Sequence, residues 1–370
     1  MKKSIIAVVM TVMMMLSLVA CSSKEKTTTT DPATPTKGAD TAAATQAPDG
    51  DKGGDVITVG FSQVGAESDW RTANTESMKS TFSEANGYEL IFDDAQQKQE
   101  NQIAAIRNFI QQEVDYIVLA PVTETGWDTV LKEAKDAGIP VIIVDRMVDV
   151  SDDSLFTAWV GSNFELEGKK AAAWLDAYLK AAGKDKDTVN IVDIQGTIGA
   201  SAQIGRTKGL EDAVAAHSNW KLLQKTTGEF TQAKGQEVME SMLKQFGDKI
   251  DVVYCENDNE AFGAIDAIEA AGYKVGLDGD MMVMSFDCTK AGLSDTLSGK
   301  ITLNTECNPL HGPRVEEIIK ALEGGQTVDK LKYVDEVAFS FDASVKSVGI
   351  DGTDYPVTQL TQDILDKRAY

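Results

Sequence analysis

The sequence predicts an α/β protein made of two similar doubly wound parallel-sheet lobes joined by a multi-strand hinge. Three observations carry that prediction. From residue 56 onward, short apolar runs rich in Val and Ile alternate with amphipathic stretches of helical period. The alternation pauses near 159–167 and then restarts, so one β-α block follows another. Roughly 315 residues follow residue 55, which on ordinary domain sizes makes two domains rather than one.

The first block has apolar runs at 56–61, 89–92, 116–120 and 141–144, too short for helices and read as buried parallel strands. Between them, Met78, Phe82 and Ala85 share one helix face, Ile103, Ile106 and Ile110 a second, and Trp127, Val130, Leu131 and Ala134 a third. Gly87 and Gly138 stand where helices end. The second block repeats the beat, with strands at 189–194, 220–225, 252–255 and 282–286 and helices near 201–216, 232–246 and 260–271. The remainder (301–305, a helix at 309–322, and 334–341) is long enough to cross back between lobes. The expected division is 55–160 with 308–333 in the N-terminal lobe, and 161–307 with 334–370 in the C-terminal lobe.

The first twenty residues have the layout of a secretory signal: Lys2 and Lys3, an apolar run over 5–20, and small Ala20 before Cys21. The run is short for a bilayer span, which needs about 20 apolar residues. Leu18-Val19-Ala20-Cys21 resembles the bacterial lipobox, which implies an acylated Cys21 as the mature N-terminus. Residues 21–54, rich in Thr, Ala, Asp, Pro and Gly, read as a flexible linker with little to bury. The expected location is outside the cell, lipid-anchored to the outer face of the cell membrane, with no other membrane contact.

The net charge of −23 argues against nucleic acid or anionic lipid as a partner, since both reward a basic face. Cys255, Cys288 and Cys307 form no close pair, so neither a zinc site nor a dense disulfide framework is expected; buried thiols or a single bridge both remain open. No metal and no cofactor is expected, and a monomer is.

Open α/β sheets bind ligands beyond the carboxyl ends of their strands. Ser62 to Arg71 follows the first strand, Asp93-Asp94 the second and Asp145-Arg146 the fourth. In the second block the matching positions are Gln195 with the loop towards Arg206, then Gly228-Glu229-Phe230, Asn257-Asp258 and Asp287, and Glu306 follows the late strand. Asp, Glu, Arg and Asn beside two large aromatics suit a neutral polyol: carboxylates accept from hydroxyls, Arg and Asn bridge neighbouring hydroxyls, and a ring covers an apolar sugar face. Singly these positions say little. An Asp after a strand more often caps a helix, as Asp94 or Asp258 would, Asp145-Arg146 is also what a structural ion pair looks like, and Trp70 suits a core. Their recurrence in both blocks carries the reading.

Catalytic readings find no support. His217 sits at a helix end and His311 at a helix start, both structural settings. There is no Gly-x-Ser-x-Gly elbow, Walker A loop or His-Glu-x-x-His. Gly196-Thr197-Ile198-Gly199 and Asp278-Gly279-Asp280 read as turns. No catalytic residue is expected.

At these strand ends the chain resembles the sugar-binding proteins of ABC importers, in the ribose-binding branch of the type I periplasmic binding proteins. The likeness lies in Val59-Gly60-Phe61-Ser62-Gln63-Val64-Gly65 through Trp70-Arg71, 96–102, Ala120-Pro121, Thr125-Gly126-Trp127, 131–137, Ile139-Pro140-Val141, Asp145-Arg146, Gln195-Gly196-Thr197, Gly199-Ala200-Ser201, Arg206, Lys208-Gly209 and Asn257-Asp258. It runs from about 56 to 313 and fades over the last fifty residues. The resemblance implies ligand contacts at Ser62, Glu67, Trp70, Arg71, Asp145, Arg146, Arg206, Phe230, Asn257, Asp287 and Glu306. Of these, Trp70, Arg71 and Glu306 resemble the galactofuranose-binding branch. It also implies capture of a monosaccharide by hinge closure and delivery to an ABC transporter permease; the alternative is a sensor presenting its sugar to a chemoreceptor or kinase. A sugar-responsive repressor shares the lobe pair but needs a basic helix-turn-helix where this chain has a signal and an acidic linker. Two departures bear on which sugar is bound: Cys288 follows Asp287 where glycine is usual, and Glu256 and Asn259 flank Asn257-Asp258.

Overall fold

A computed structural model describes residues 56–370. Cys21, the signal and the linker lie outside the described residues.

In chain order the first sheet is built from β1 (Ile57–Gln63), α1 (Asp69–Thr81), β2 (Tyr88–Asp94), α2 (Gln99–Gln111), β3 (Tyr116–Leu119), α3 (Asp128–Asp136), β4 (Val141–Val144) and β5 (Ala158–Gly161). The chain then crosses over into α4 (Phe164–Ala181), β6 (Val189–Gln195), α5 (Ser201–Ala216), β7 (Trp220–Thr227), α6 (Gln232–Phe246), β8 (Val252–Cys255), α7 (Asp258–Ala270), β9 (Met282–Asp287), α8 (Lys290–Leu297) and β10 (Ile301–Glu306). It returns for α9 (Gly312–Glu323) and β11 (Leu331–Tyr333), then crosses a third time into β12 (Ala338–Ser340), β13 (Ser347–Ile350), β14 (Thr353–Gln359) and α10 (Gln362–Asp366).

The first sheet is wholly parallel, in the order β11-β5-β4-β3-β1-β2. The second is β13-β14-β12-β10-β9-β8-β6-β7, parallel over its last five strands. Strand order reverses between β1 and β3 in one lobe and between β6 and β8 in the other, the crevice position at which such sheets receive ligands. Each sheet is buried on both faces. Met78 of α1 and Val315, Ile318 and Ile319 of α9 cover one side of the first, and Ile106 and Phe109 of α2 with Val130 and Leu131 of α3 the other. Trp174 and Leu175 of α4 cover one side of the second, Met239 and Met242 of α6 with Ile265 and Ile268 of α7 the other. This is why the strands read as unbroken apolar runs rather than alternating ones.

Local differences from the sequence reading have identifiable causes. Ala85 is exposed in a 3-10 turn rather than on the core face of α1, because the helix stops at Thr81. The expected strand over 334–341 narrows to β12, since 334–337 is spent on the third crossover. Among the described residues no helix is long and apolar enough to cross a membrane, and the three cysteines are buried free thiols.

At the second crossover, His311 is fully buried. Its Nδ1 accepts from Asn74 Nδ2 at 3.1 Å, a group that also donates to the Pro309 carbonyl at 2.8 Å. Burial, ahead of the opposing field of Asp145, pushes the imidazole down to about 4. The unfolded chain binds this proton at its ordinary pKa, near 6.5, so between those values the unfolded state holds more protons and folded stability falls as pH falls. Going from pH 7.5 to 4.5 should therefore cost wild type about 2–3 kcal/mol more than His311→Gln, read by urea unfolding at both pH values. A wild-type-minus-variant difference that is constant with pH would contradict the assignment.

Candidate functional site

Between the lobes a cavity of about 290 Å³ is lined by residues from both sheets and from the hinge. Nine of the sequence-predicted residues reach it: Glu67, Trp70, Arg71, Asp145 and Arg146 from the first lobe, and Arg206, Phe230, Asn257 and Asp287 from the second.

The first-lobe wall is a compensated lattice of buried charge. Ser68 caps α1 by accepting from Arg71 N at 3.1 Å, which orients the first helical turn so that Arg71 reaches the strand ends. Arg71 Nη2 donates to Asp145 at 2.8 Å, its Nε to Glu67 Oε1 at 3.0 Å, and its Nη1 to Gln63 Oε1 at 3.3 Å. Arg146 donates to the Val122 carbonyl at 3.0 Å and lies 3.6 Å from Glu67 and 3.9 Å from Asp145. Two carboxylates thus face two guanidinium groups. Burial works to raise the Asp145 pKa, but Arg71 and then Arg146 outweigh it and hold the carboxylate below its ordinary value. Burial, then Arg71, pulls Arg146 down to about 10, still charged at neutral pH. Glu67 Oε2 is buried with no hydrogen-bond partner in the protein, an acceptor in the wall of the cavity.

The second-lobe wall is organised around Arg206. Its Nε donates to Glu167 of α4 at 2.8 Å, its Nη1 to the Glu256 carbonyl, and its Nη2 to Asp287 at 3.4 Å. α4 and α5 can approach this closely because both carry glycines at the contact; a β-carbon on Gly168 would come within 2.7 Å of the Arg206 carbonyl oxygen. Burial pushes Asp287 well above the carboxylate range despite Arg206, which favours its neutral form. Asn257 caps α7 by accepting from Glu260 N at 2.8 Å, and its amide donates to the Phe230 carbonyl at 3.1 Å. Phe230 is further held by Glu260, which accepts from its N–H at 2.9 Å. A β-carbon on Gly196 would collide with the Phe230 ring, so glycine is what lets that ring lie at the cavity.

The aromatics meet across the cleft. Trp70 clusters with Phe164, Ala202 and Phe230 of the other lobe and with Cys307 of the hinge, and its indole N–H donates to the Cys307 carbonyl at 2.7 Å. Arg71 lies 4.6 Å from the Trp70 ring centre, and Arg146 lies 5.1 Å from that of Phe230 in the opposite lobe. Three hydrogen bonds join the lobes at the rim: Asp69 N to Asn259 Oδ1 at 3.0 Å, Met147 N to Ser201 Oγ at 2.8 Å, and Glu124 N to the Gly199 carbonyl at 2.9 Å. The unusual Asn259 is thus a cross-lobe bridge, and the unusual Glu256 accepts from Gly196 N at 2.8 Å and supports the turn beneath Phe230.

Two expected contacts lie elsewhere. Ser62 does not line the cavity, because β1 runs on to Gln63 and Ser62 stays in the sheet, in register with Asp93 and Leu119. Glu306 also stands outside it: Oε1 accepts from Arg368 at 2.7 Å and from the Tyr370 hydroxyl at 3.0 Å, and Oε2 from Val337 N at 3.2 Å. Nothing near Glu306 in sequence signals a partner sixty residues on. Of the competing readings, Asp258 caps no helix: it accepts from Ser285, Asn304 and Thr289 inside the second lobe. Four lining residues were missed as contacts: Ser68, Phe164, Ala202 and Cys307. Ser68 lay in the first strand-end loop and reads as a cap; Phe164 opens α4 just past the first crossover, where no strand end points to it, and Cys307 directly follows β10, one residue beyond Glu306.

Asp145, Glu229, Phe230, Asp287 and Cys288 all have positive φ without being glycine, at 62°, 58°, 61°, 100° and 57°. Strained backbone of this kind gathers at ligand sites. The Cys288 side chain is used there: Sγ lies 3.3 Å from the Asn304 carbonyl and from Asn304 Oδ1, and it packs in a cluster with Leu293 and Phe339. Near the hinge, ligand atoms of Glu167, Cys307 and Glu336 lie within 4.8 Å of one another. A metal ion there would compete with cations already in place, Arg206 on Glu167 and Lys170, whose ammonium donates to the Glu336 carbonyl at 2.8 Å.

A family model described as a periplasmic binding protein domain matches residues 59–305. The chain is 44% identical to the galactofuranose-binding protein YtfQ of Escherichia coli over 278 residues, 74% of this chain and 85% of the relative. A solved structure from Mycobacterium smegmatis in complex with β-D-fucofuranose superposes with a TM-score of 0.73 at 44% identity, covering 77% of this chain and 91% of that one. The binding component of the arabinose ABC transporter of Shewanella sp. ANA-3, bound to α- and β-L-arabinofuranose, superposes at 0.72 and 43% identity, covering 76% and 91%. With its paired parallel sheets and a cleft walled by both, the chain belongs to the periplasmic binding protein family, whose members bind solutes and are not enzymes.

Proposed function

We propose that the protein captures an uncharged monosaccharide in its five-membered ring form and delivers it to an ABC importer. The observation that carries this is the first-lobe wall, where Glu67 and Asp145 balance Arg71 and Arg146 within a small cavity faced by Trp70 and Phe230. Balanced ion pairs offer many hydrogen-bonding atoms without a net field, which favours hydroxyls over carboxylates or phosphates. Trp70 and Phe230 come from opposite lobes, so both rings approach a small sugar only when the lobes are closed. The furanose ligands of the M. smegmatis and Shewanella structures support the ring form. The lipobox-like motif ending in Cys21 supports tethering at the membrane face, beside an importer's permease.

The ring form is tested with galactose and arabinose labelled at C1 with ¹³C and an excess of protein. Bound anomeric signals should be those of the furanose, out of proportion to its small share in solution. Bound pyranose signals would overturn the reading.

The ion lattice yields a second expectation. Asp145→Ala leaves Arg71 and Arg146 with Glu67 as their one remaining shared carboxylate. It should weaken sugar binding by about 1–3 kcal/mol, roughly five- to 150-fold, in calorimetric titration. Unchanged affinity would remove Asp145 from the site.

A further inference from the structure

The lobes are joined by three crossovers: 162–163 between β5 and α4, 307–311 between β10 and α9, and 334–337 between β11 and β12. Their backbones touch through few hydrogen bonds. Glu306 N donates to the Val337 carbonyl at 2.8 Å, and Val334 N to the Gly161 carbonyl at 2.9 Å. What ties all three together is one oxygen. Glu336 Oε1, on the third crossover, accepts from Ser162 Oγ of the first at 2.7 Å and from Asn308 N of the second at 2.6 Å. Ser162 Oγ also lies 3.3 Å from Cys307 Sγ, and Lys170 Nζ of α4 donates to the Glu336 carbonyl at 2.8 Å.

We propose that Glu336 is a positioning residue for sugar capture, a strap whose one oxygen holds the three crossovers at the angle that brings the two cavity walls together. The proposal rests on the capture reading above. Turning one lobe against the other swings the crossovers past one another, and Ser162 and Asn308 cannot separate without one of them leaving Glu336 Oε1. The strap is also in contact with the walls it aligns. Cys307, next to Asn308, receives the Trp70 indole N–H, and Glu167, within 4.8 Å of Glu336 and Cys307, holds Arg206. A change in crossover angle therefore moves an aromatic of one wall and the guanidinium of the other. Burial, and after it Glu167, pushes the Glu336 carboxyl well above the ordinary range, so its neutral form is favoured and glutamine reproduces it closely.

The test compares wild type, Glu336→Ala, Glu336→Gln and Ser162→Ala in the full chain. Solution scattering without sugar gives the radius of gyration, and calorimetry with D-galactose and L-arabinose gives the affinity. Glu336→Ala should be more expanded than wild type without sugar and bind about tenfold more weakly, as expected for two lost hydrogen bonds. Glu336→Gln should restore both readings, and Ser162→Ala should shift both in the same direction by less. Wild-type scattering in Glu336→Ala overturns the strap, as does equal weakening by alanine and glutamine. Should Glu336→Ala fail to fold, Ser162→Ala decides, and wild-type behaviour there overturns the proposal. Wild type that binds neither sugar counts against the capture reading alone, because the sugar-free scattering still reports on the strap.

Discussion

The structure depends on pairing charge that has been taken out of water. Six charged side chains, Glu67, Arg71, Asp145, Arg146, Arg206 and Asp287, line one small cavity, and an isolated buried ion costs several kcal/mol. Each is therefore placed against an opposite charge, and much of the local architecture serves those placements. Ser68 caps the helix that delivers Arg71. The glycine contact between the fourth and fifth helices lets Glu167 reach Arg206. Asp145 and Asp287 accept left-handed backbone so that their carboxylates meet guanidinium groups. Compensation is complete in the first lobe. In the second it is less so, since burial outweighs Arg206 and pushes the Asp287 carboxyl above its ordinary range.

The two lobes were legible because a parallel sheet covered on both faces needs continuous apolar strands, and such runs stand out between amphipathic helices. Much of the cavity was legible for a topological reason. Ligands meet open sheets at strand ends, so residues just past an apolar run are ranked by position alone. That reasoning brought Arg71, Asp145, Arg146, Phe230, Asn257 and Asp287 to one place. Ser62 stays in the sheet because β1 continues two residues beyond its apolar stretch, to Gln63.

What could not be read involves contacts distant in sequence. Glu306 follows a strand, yet it serves the C-terminal tail, because Arg368 and Tyr370 return to it across sixty residues. Phe164 lines the cavity from the first turn of the fourth helix and Cys307 from a crossover, which has no periodicity to reveal which way it faces. Asn257 was identified for one role and has three: it caps a helix, supports Phe230 and lines the cavity.

The left-handed residues around the cavity bear on re-engineering its specificity. Asp145, Phe230 and Asp287 hold their side chains on backbone that most residues adopt only at a cost of about 1–3 kcal/mol. Exchanging them for β-branched residues would change the shape of the turn along with the chemistry of the wall. Glu67, Trp70 and Ala202 reach the same cavity from ordinary backbone. Of these, Glu67 is committed to Arg71 and Arg146, so a biosensor retuned to another solute is best varied at Trp70 and Ala202, with the turns and the ion pairs left as they are.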